Sequence, residues 1–279
     1  MQDCFSLYHL NAHSIVHKKD KLIEHLQSLD TNFKFICITE SWLNEDSIPY
    51  SSIEGYNAEH SVRDVGSIGG GASVYVHHAI SYAHRPDLSM LEPGIESCFI
   101  EVDKSELLFE KDVIVGCIYR PPGKSIEKFI EKIDRILDVI TKEGKIGFLA
   151  GDYNINILNH DKHKPTSDFL DKMYSYSFLP LITKPTRITD RTATLIDNIF
   201  TNHTSSTAQQ FPGIIFNDMS DHLPVFCFDK TIQLPNKKMN IKNAYIEKAI
   251  SKISNQKYIT LIGIFYKVFQ TPKPPIQPS

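Results

Sequence analysis

Eight short apolar runs, with only two strong helical patterns between them, set the limits on what this chain can fold into. The runs are Phe5–Leu10, Phe33–Thr39, Ala72–His77, Cys98–Val102, Val113–Tyr119, Ile146–Ala150, Leu195–Phe200 and Leu223–Phe228. Apolar runs of this length, bounded by turn residues, read as buried strands. Helical spacing over Lys18–Leu29 aligns Leu22, Ile23, Leu26 and Leu29. Over Ser125–Ile140 it aligns Phe129, Ile133, Ile136, Leu137 and Ile140, with Ser125 as N-cap. A weaker helical pattern covers Thr166–Tyr176. Gly69-Gly70-Gly71 and Arg120-Pro121-Pro122-Gly123 mark loops, and no internal repeat is apparent. Many short strands and few helices predict an α/β fold: a two-layer sandwich of two packed β-sheets, flanked by helices on the outer faces.

A chain of 279 residues, 41% hydrophobic and 23% charged, has apolar material for one large domain of this kind. Its formal charge of -3 lacks the strong basic excess that would announce nucleic-acid binding, although a local basic face fits within such a total. Cys4, Cys37, Cys98, Cys117 and Cys227 form no CxxC pair, which argues against zinc. Their odd number and apolar settings read as reduced thiols of an intracellular protein. The N-terminus shows no secretory signal, and no apolar run reaches membrane-spanning length, so no membrane partner is expected. The longest candidate, Tyr258–Phe269, is short and contains Lys267. The domain is expected over residues 1–230. Residues 231–279 are expected outside it: a linker over Thr231–Asn240, a helix over Ile241–Ile253 and a disordered proline-rich end over Thr271–Ser279.

The acids and amides fall at the ends of the predicted strands. Asn11 closes FSLYHL, Glu40 closes FICIT, Tyr119 closes VIVGCI, Asp152 and Asn154 follow IGFLAG, and Asp221-His222 precede LPVFCF. Each alone has a plainer reading: a turn former, a helix cap, a core-edge aromatic or a surface loop. Residues just outside strand ends converge on one rim, however, where sites are built. Phosphodiester cleavage needs these residue types together. Magnesium takes hard oxygen ligands and needs only one or two carboxylates. A second carboxylate orients or deprotonates water, and a histidine held by an acid donates to the phosphate as charge grows.

In order, LNAHSI, ITESWL, GGGASVYV, IYRPPG, LAGDYNIN, KPTR, TLIDNIF and SDHLPV resemble the motifs of the endonuclease/exonuclease/phosphatase superfamily. The spelling is nearest to endonucleases of jockey- and CR-type LINE (non-LTR) retrotransposons, and the resemblance runs from about Leu7 to Phe228. It implies that Asn11 and Glu40 help hold the metal, with Glu40 the principal ligand. It places Tyr119 beside the scissile phosphate, Asp152 on the attacking water and Asn154 in the same cluster. Asp197 matches an acid near the metal or nucleophile, and Thr186 a family hydroxyl on the substrate. Asp221 matches an acid that orients His222, His222 the histidine on the phosphate, and Ser220 a support for that loop. His13, Tyr153 and Asn198 depart from common family choices without removing a matched catalytic type. Gly69–Gly71 lacks the GxxxxGK[ST] of a P-loop and reads as a bend into a strand. Trp42, the sole tryptophan, reads as packing beside Glu40 rather than as a base-stacking platform. His77-His78 and Lys162–Lys164 read as surface residues.

The resemblance implies a DNA-nicking endonuclease with Mg2+, or Mn2+, as cofactor and DNA as partner. The expected location is nuclear, with a reverse transcriptase downstream in a full element; beyond Phe228 this chain has no polymerase-like segment. A phosphatase acting on inositol phosphates or sphingolipids shares the same superfamily site, so fold cannot separate the two. A non-catalytic remnant is a third reading, against which stands the presence of every matched site residue.

Overall fold

Successive apolar residues along a strand make sense only when both of its faces are covered. In β1 (Phe5–Asn11) every residue is buried: Phe5 and Leu7 join one apolar cluster, Tyr8 and Leu10 a second. The computed structural model describes residues 4–29, 31–62, 69–91, 95–204, 208–231 and 259–261. The further strands are β2 (Phe35–Thr39), β3 (Tyr56–Ser61), β4 (Ala72–His77), β5 (Ala83–His84), β6 (Glu96–Val102), β7 (Val113–Tyr119), β8 (Ile146–Asp152), β9 (Leu179–Pro180), β10 (Arg187–Ile188), β11 (Ala193–Thr194), β12 (Asp197–Thr201), β13 (Ala208–Ile215), β14 (Val225–Thr231) and β15 (Ile259–Leu261). The α-helices are α1 (Ile15–Ser28), α2 (Pro86–Leu91), α3 (Lys104–Leu107), α4 (Ile126–Lys142) and α5 (Lys164–Ser175).

Two mixed sheets result, as expected. One has the order β15-β13-β14-β1-β2-β4-β3, the other β5-β6-β7-β8-β12-β9, and β10-β11 is a separate hairpin. The sheets meet through side chains such as Phe5 and Phe148, stacked at 4.0 Å. α4 covers the second sheet with Phe129, Ile133, Ile136, Leu137 and Ile140, the predicted stripe, and Ser125 Oγ caps it by accepting from the Lys128 N–H at 3.1 Å. α1 puts Leu22 into the cluster of Tyr8, Ile36 and Phe226 on the first sheet.

Each sheet is built on one parallel pair. β1 runs parallel to β2 through α1, and β7 parallel to β8 through α4. Each pair is flanked by antiparallel neighbours: β14 and β4 in one sheet, β6 and β12 in the other. This structural duplication has no counterpart in sequence.

Seven of the described strands fall outside the eight expected runs, and the two longest of them are β3 and β13. β3 is a half-buried edge spelled YNAEHS, and β13 contains Pro212 and Gly213, which read as loop signals. Of the segment expected beyond the domain, the helix and proline-rich end lie outside the described residues. Ile259–Leu261, however, forms β15 on the Gly213–Ile215 edge of β13.

Gly151 sits where the second parallel pair closes on the site. A Cβ there would lie 1.9 Å from the Ile118 carbonyl oxygen, so only glycine fits between these strands. Gly151→Ala should destabilise the fold by at least about 3 kcal/mol, because backbone cannot move aside as a flexible side chain does. The midpoint of urea unfolding checks this; an unchanged midpoint would show that the strands part at no cost.

Candidate active site

Strand register assembles the site. Tyr119 lies opposite Asp152 on β7 and β8, and Asp152 opposite Asp197 on β8 and β12. From the facing sheet, Asn11 ends β1 beside Thr39, the residue before Glu40. The chain turns sharply as it leaves these strands: His13, Ser14, Glu40, Trp42 and Asn154 have positive φ, five of the seven described non-glycine residues that do. Left-handed backbone at such residues is unfavourable, and its clustering marks a site held by its surroundings.

The polar side chains form one network. Asn11 Nδ2 donates to Glu40 Oε1 at 2.9 Å and to Asp152 Oδ2 at 2.8 Å. Only the NH2 end of an amide can face two carboxylates, so its orientation is fixed. Its Oδ1 accepts from the His13 N–H at 3.3 Å. Asn11 thus steadies both Glu40 and Asp152 through its NH2 group. Tyr119 donates its hydroxyl to Glu40 Oε1 at 3.0 Å. Asn154 donates to Asp152 through its backbone N–H at 2.9 Å and its amide at 3.1 Å. Buried Arg120, in RPPG, donates to the carbonyls of Tyr153 and Asn154 at 2.7 and 2.6 Å and so braces that turn.

Asp197 receives the Thr186 hydroxyl at 2.7 Å and His222 Nδ1 at 2.9 and 3.1 Å on its two oxygens. The acid that orients His222 is therefore Asp197, not Asp221 as expected. Arg187 holds Asp221 instead, through Nε at 2.8 Å and Nη2 at 2.7 Å. The reason is geometric. His222 bridges to Arg187 in extended backbone, where neighbouring side chains point to opposite sides. His222 turns inward and is buried; Asp221 turns to the rim and is 40% exposed. Ser220 Oγ accepts from the His222 N–H at 3.3 Å. Thr186 faces Asp197 rather than an open surface, and so acts behind the acid.

Asp152, Asp197 and His222 each offer a ligating atom within 4.8 Å of the others. Both Asp197 oxygens already accept from His222 Nδ1, so we read that pair as an acid–imidazole dyad rather than as ligands. Of the three inward carboxylates, Glu40, Asp152 and Asp197, Glu40 is the most exposed, with its side chain 12% accessible, and His13 Nε2 lies 3.3 Å from its Oε2. Hard carboxylate oxygens from Glu40 and Asp152, steadied by amide and phenol donors, fit a divalent cation of the magnesium kind.

Burial, and then the Asp197 charge, push the Asp152 carboxyl up to about 7. Burial pulls His222 down, but the Asp197 charge and hydrogen bond, with Asp152 and Asp221 behind, overcome it and raise the imidazole to about 9. Burial would raise Asp221, yet the Arg187 guanidinium holds it below the usual carboxylate range. Burial and then Glu40 raise the Tyr119 phenol, which stays protonated as a donor. His13, Arg120 and Arg187 were not singled out as site residues. AHS, RPPG and KPTR carry them, but their partners lie on other elements.

The sequence pattern of the Endonuclease/Exonuclease/phosphatase family matches residues 8–222. No curated protein matches the chain. Among solved structures, the endonuclease domain of TRAS1, a telomere-specific non-LTR retrotransposon, is 15% identical with a TM-score of 0.61, covering 82% of this chain and 100% of that one. The AP endonuclease LMAP from Leishmania major is 12% identical at a TM-score of 0.64, covering 82% and 88%. The APE2 catalytic domain from Xenopus laevis is 18% identical at 0.63, covering 84% and 94%. At these identities the likeness shows a shared fold. The family match over most of the chain shows that this protein belongs to the Endonuclease/Exonuclease/phosphatase family.

Proposed function

We propose that the chain is a Mg2+- or Mn2+-dependent endonuclease that nicks DNA, of the non-LTR retrotransposon type. Under this reading it works in the nucleus and, in a full element, beside a reverse transcriptase. The observation that carries the hydrolytic reading is the buried Asp197–His222 dyad facing Asp152, with Glu40 the most exposed of the three inward carboxylates. The spelling of the motifs supports the retrotransposon part.

Glu40, backed by Asn11 and Tyr119, would hold the cation. When bound, the cation would supply positive charge beside the scissile phosphate. Asp152, fixed by Asn154, takes a proton from the attacking water. His222, with Nδ1 held by Asp197, donates from Nε2 to a phosphate oxygen as its charge rises. Tyr119 stands beside the scissile phosphate. Ser220, Asp221 and Thr186 set the loop, the rim and the dyad. Water adds to phosphorus as its proton passes to Asp152, the bond from phosphorus to the 3′ oxygen breaks, and that oxygen takes a proton from solvent, giving a 3′ hydroxyl and a 5′ phosphate.

Purified protein should convert supercoiled plasmid to the nicked circle with Mg2+ and stop in excess chelator, while leaving a phosphoinositide intact. Nicking that persists in chelator would refute the metal requirement, and release of inorganic phosphate from the phosphoinositide without nicking would refute the DNA reading.

The reaction needs Asp152 ionised and His222 protonated. Activity should therefore rise as pH approaches about 7, where Asp152 loses its proton, and fall above about 9, where His222 loses its own. A bound cation moves the acid limb lower. A kcat/KM profile level through the alkaline limb would remove the imidazolium from the mechanism.

A further inference from the structure

Packing beside Glu40 accounts for only one edge of Trp42. The indole N–H donates to Glu40 Oε2 at 3.3 Å, yet the residue is 38% exposed. Its backbone sits at a φ of 56°, a region that side chains rarely adopt. Its N–H donates to the Gly70 carbonyl at 2.8 Å. The glycine bend lies directly against the ring: a Cβ on Gly69 would be 3.4 Å from the indole nitrogen, and one on Gly71 would collide with Ser41 Oγ at 2.5 Å. Gly71 in turn donates to Glu96 Oε2 on β6, which ties the bend to the other sheet. His13 meets the ring edge-on, with centroids 5.3 Å apart.

A lone exposed aromatic is ordinary on a protein surface. This one has an unfavourable backbone, is flanked by two other segments, the glycine bend and His13, and one edge of it touches the Glu40 carboxylate. A ring that served only to fill space would be buried. A rigid aromatic presented to solvent offers a π surface at little entropic cost, and any base can stack on it without sequence readout.

We infer that Trp42 is a stacking platform for a nucleobase flanking the scissile phosphate, set in place by the Gly69–Gly71 bend. The inference rests on the DNA-cleaving reading above. Because the chain has one tryptophan, its intrinsic fluorescence reports on this ring alone.

The test follows a fluorescein-labelled duplex by anisotropy and tryptophan emission in the same titration, with Ca2+ in place of Mg2+ so that the strand is not cut. Emission should change in step with binding. Trp42→Phe, which keeps a ring, should bind within about threefold of the unchanged protein, and Trp42→Leu about tenfold more weakly. DNA bound with unaltered emission would overturn the platform while leaving the DNA reading intact, as would equal weakening by Phe and Leu. No rise in anisotropy at all would overturn both.

Discussion

Asp152→Ala should lower metal-dependent nicking at least about a hundredfold, the usual scale of a lost general base. Asp152 is the hub of the site: it accepts from Asn11 and Asn154 and lies opposite both Tyr119 and Asp197 on neighbouring strands. The loss should not come from unfolding. A carboxyl whose pKa is raised in the folded state destabilises that state once it ionises. The penalty is absent below the unfolded value near 4 and complete above the folded value of about 7. At about pH 8 the alanine variant should therefore melt no lower than the unchanged protein. Below about pH 4, where the carboxyl is neutral in both states, it should melt lower, because only the hydrogen bonds are missed. Thermal melts across pH check the crossing. Near-normal nicking by the folded variant would remove Asp152 from the mechanism.

Asp197→Ala and His222→Ala should each cost at least about a hundredfold in rate, and the double variant should be scarcely worse than either. With both carboxylate oxygens on Nδ1, the pair acts as one device: Asp197 fixes the tautomer and sustains the charge that His222 presents. The control is Asp221→Asn. Since Arg187 holds that carboxylate, its effect should multiply with that of His222→Ala. Multiplicative losses for Asp197 with His222 would refute the dyad. A vanishing Asp221 effect in the His222→Ala background would restore the pairing that the strand geometry argues against.

The strand-end positions of Asn11, Glu40, Tyr119 and Asp152 were legible because an apolar run and the polar residue that stops it are local features. The α4 stripe and its Ser125 cap were legible for the same reason. The partner of His222 was not. Asp221 is adjacent in sequence and chemically suitable, whereas Asp197 reaches the imidazole only through the register of β8 with β12 and the bridge between Arg187 and His222. β3 and β13 escaped notice because edge-like strands carry polar residues, proline and glycine that elsewhere mean loop. Trp42 was read as packing because nothing in its neighbours announces a left-handed backbone.

The two parallel β–α–β units divide the site between two stretches of chain. Asn11 and Glu40 belong to the first, and Tyr119, Asp152, Asp197 and His222 come after β4. A cut near Ser81, between β4 and β5, would leave neither fragment with a complete set of reacting groups. The C-terminal fragment also carries β14, the strand against which β1 must pair, so the fragments hold complementary edges as well as complementary chemistry. Cleavage of DNA would then report reunion of the two pieces, which makes the chain a scaffold for a split enzyme whose output depends on fragment encounter.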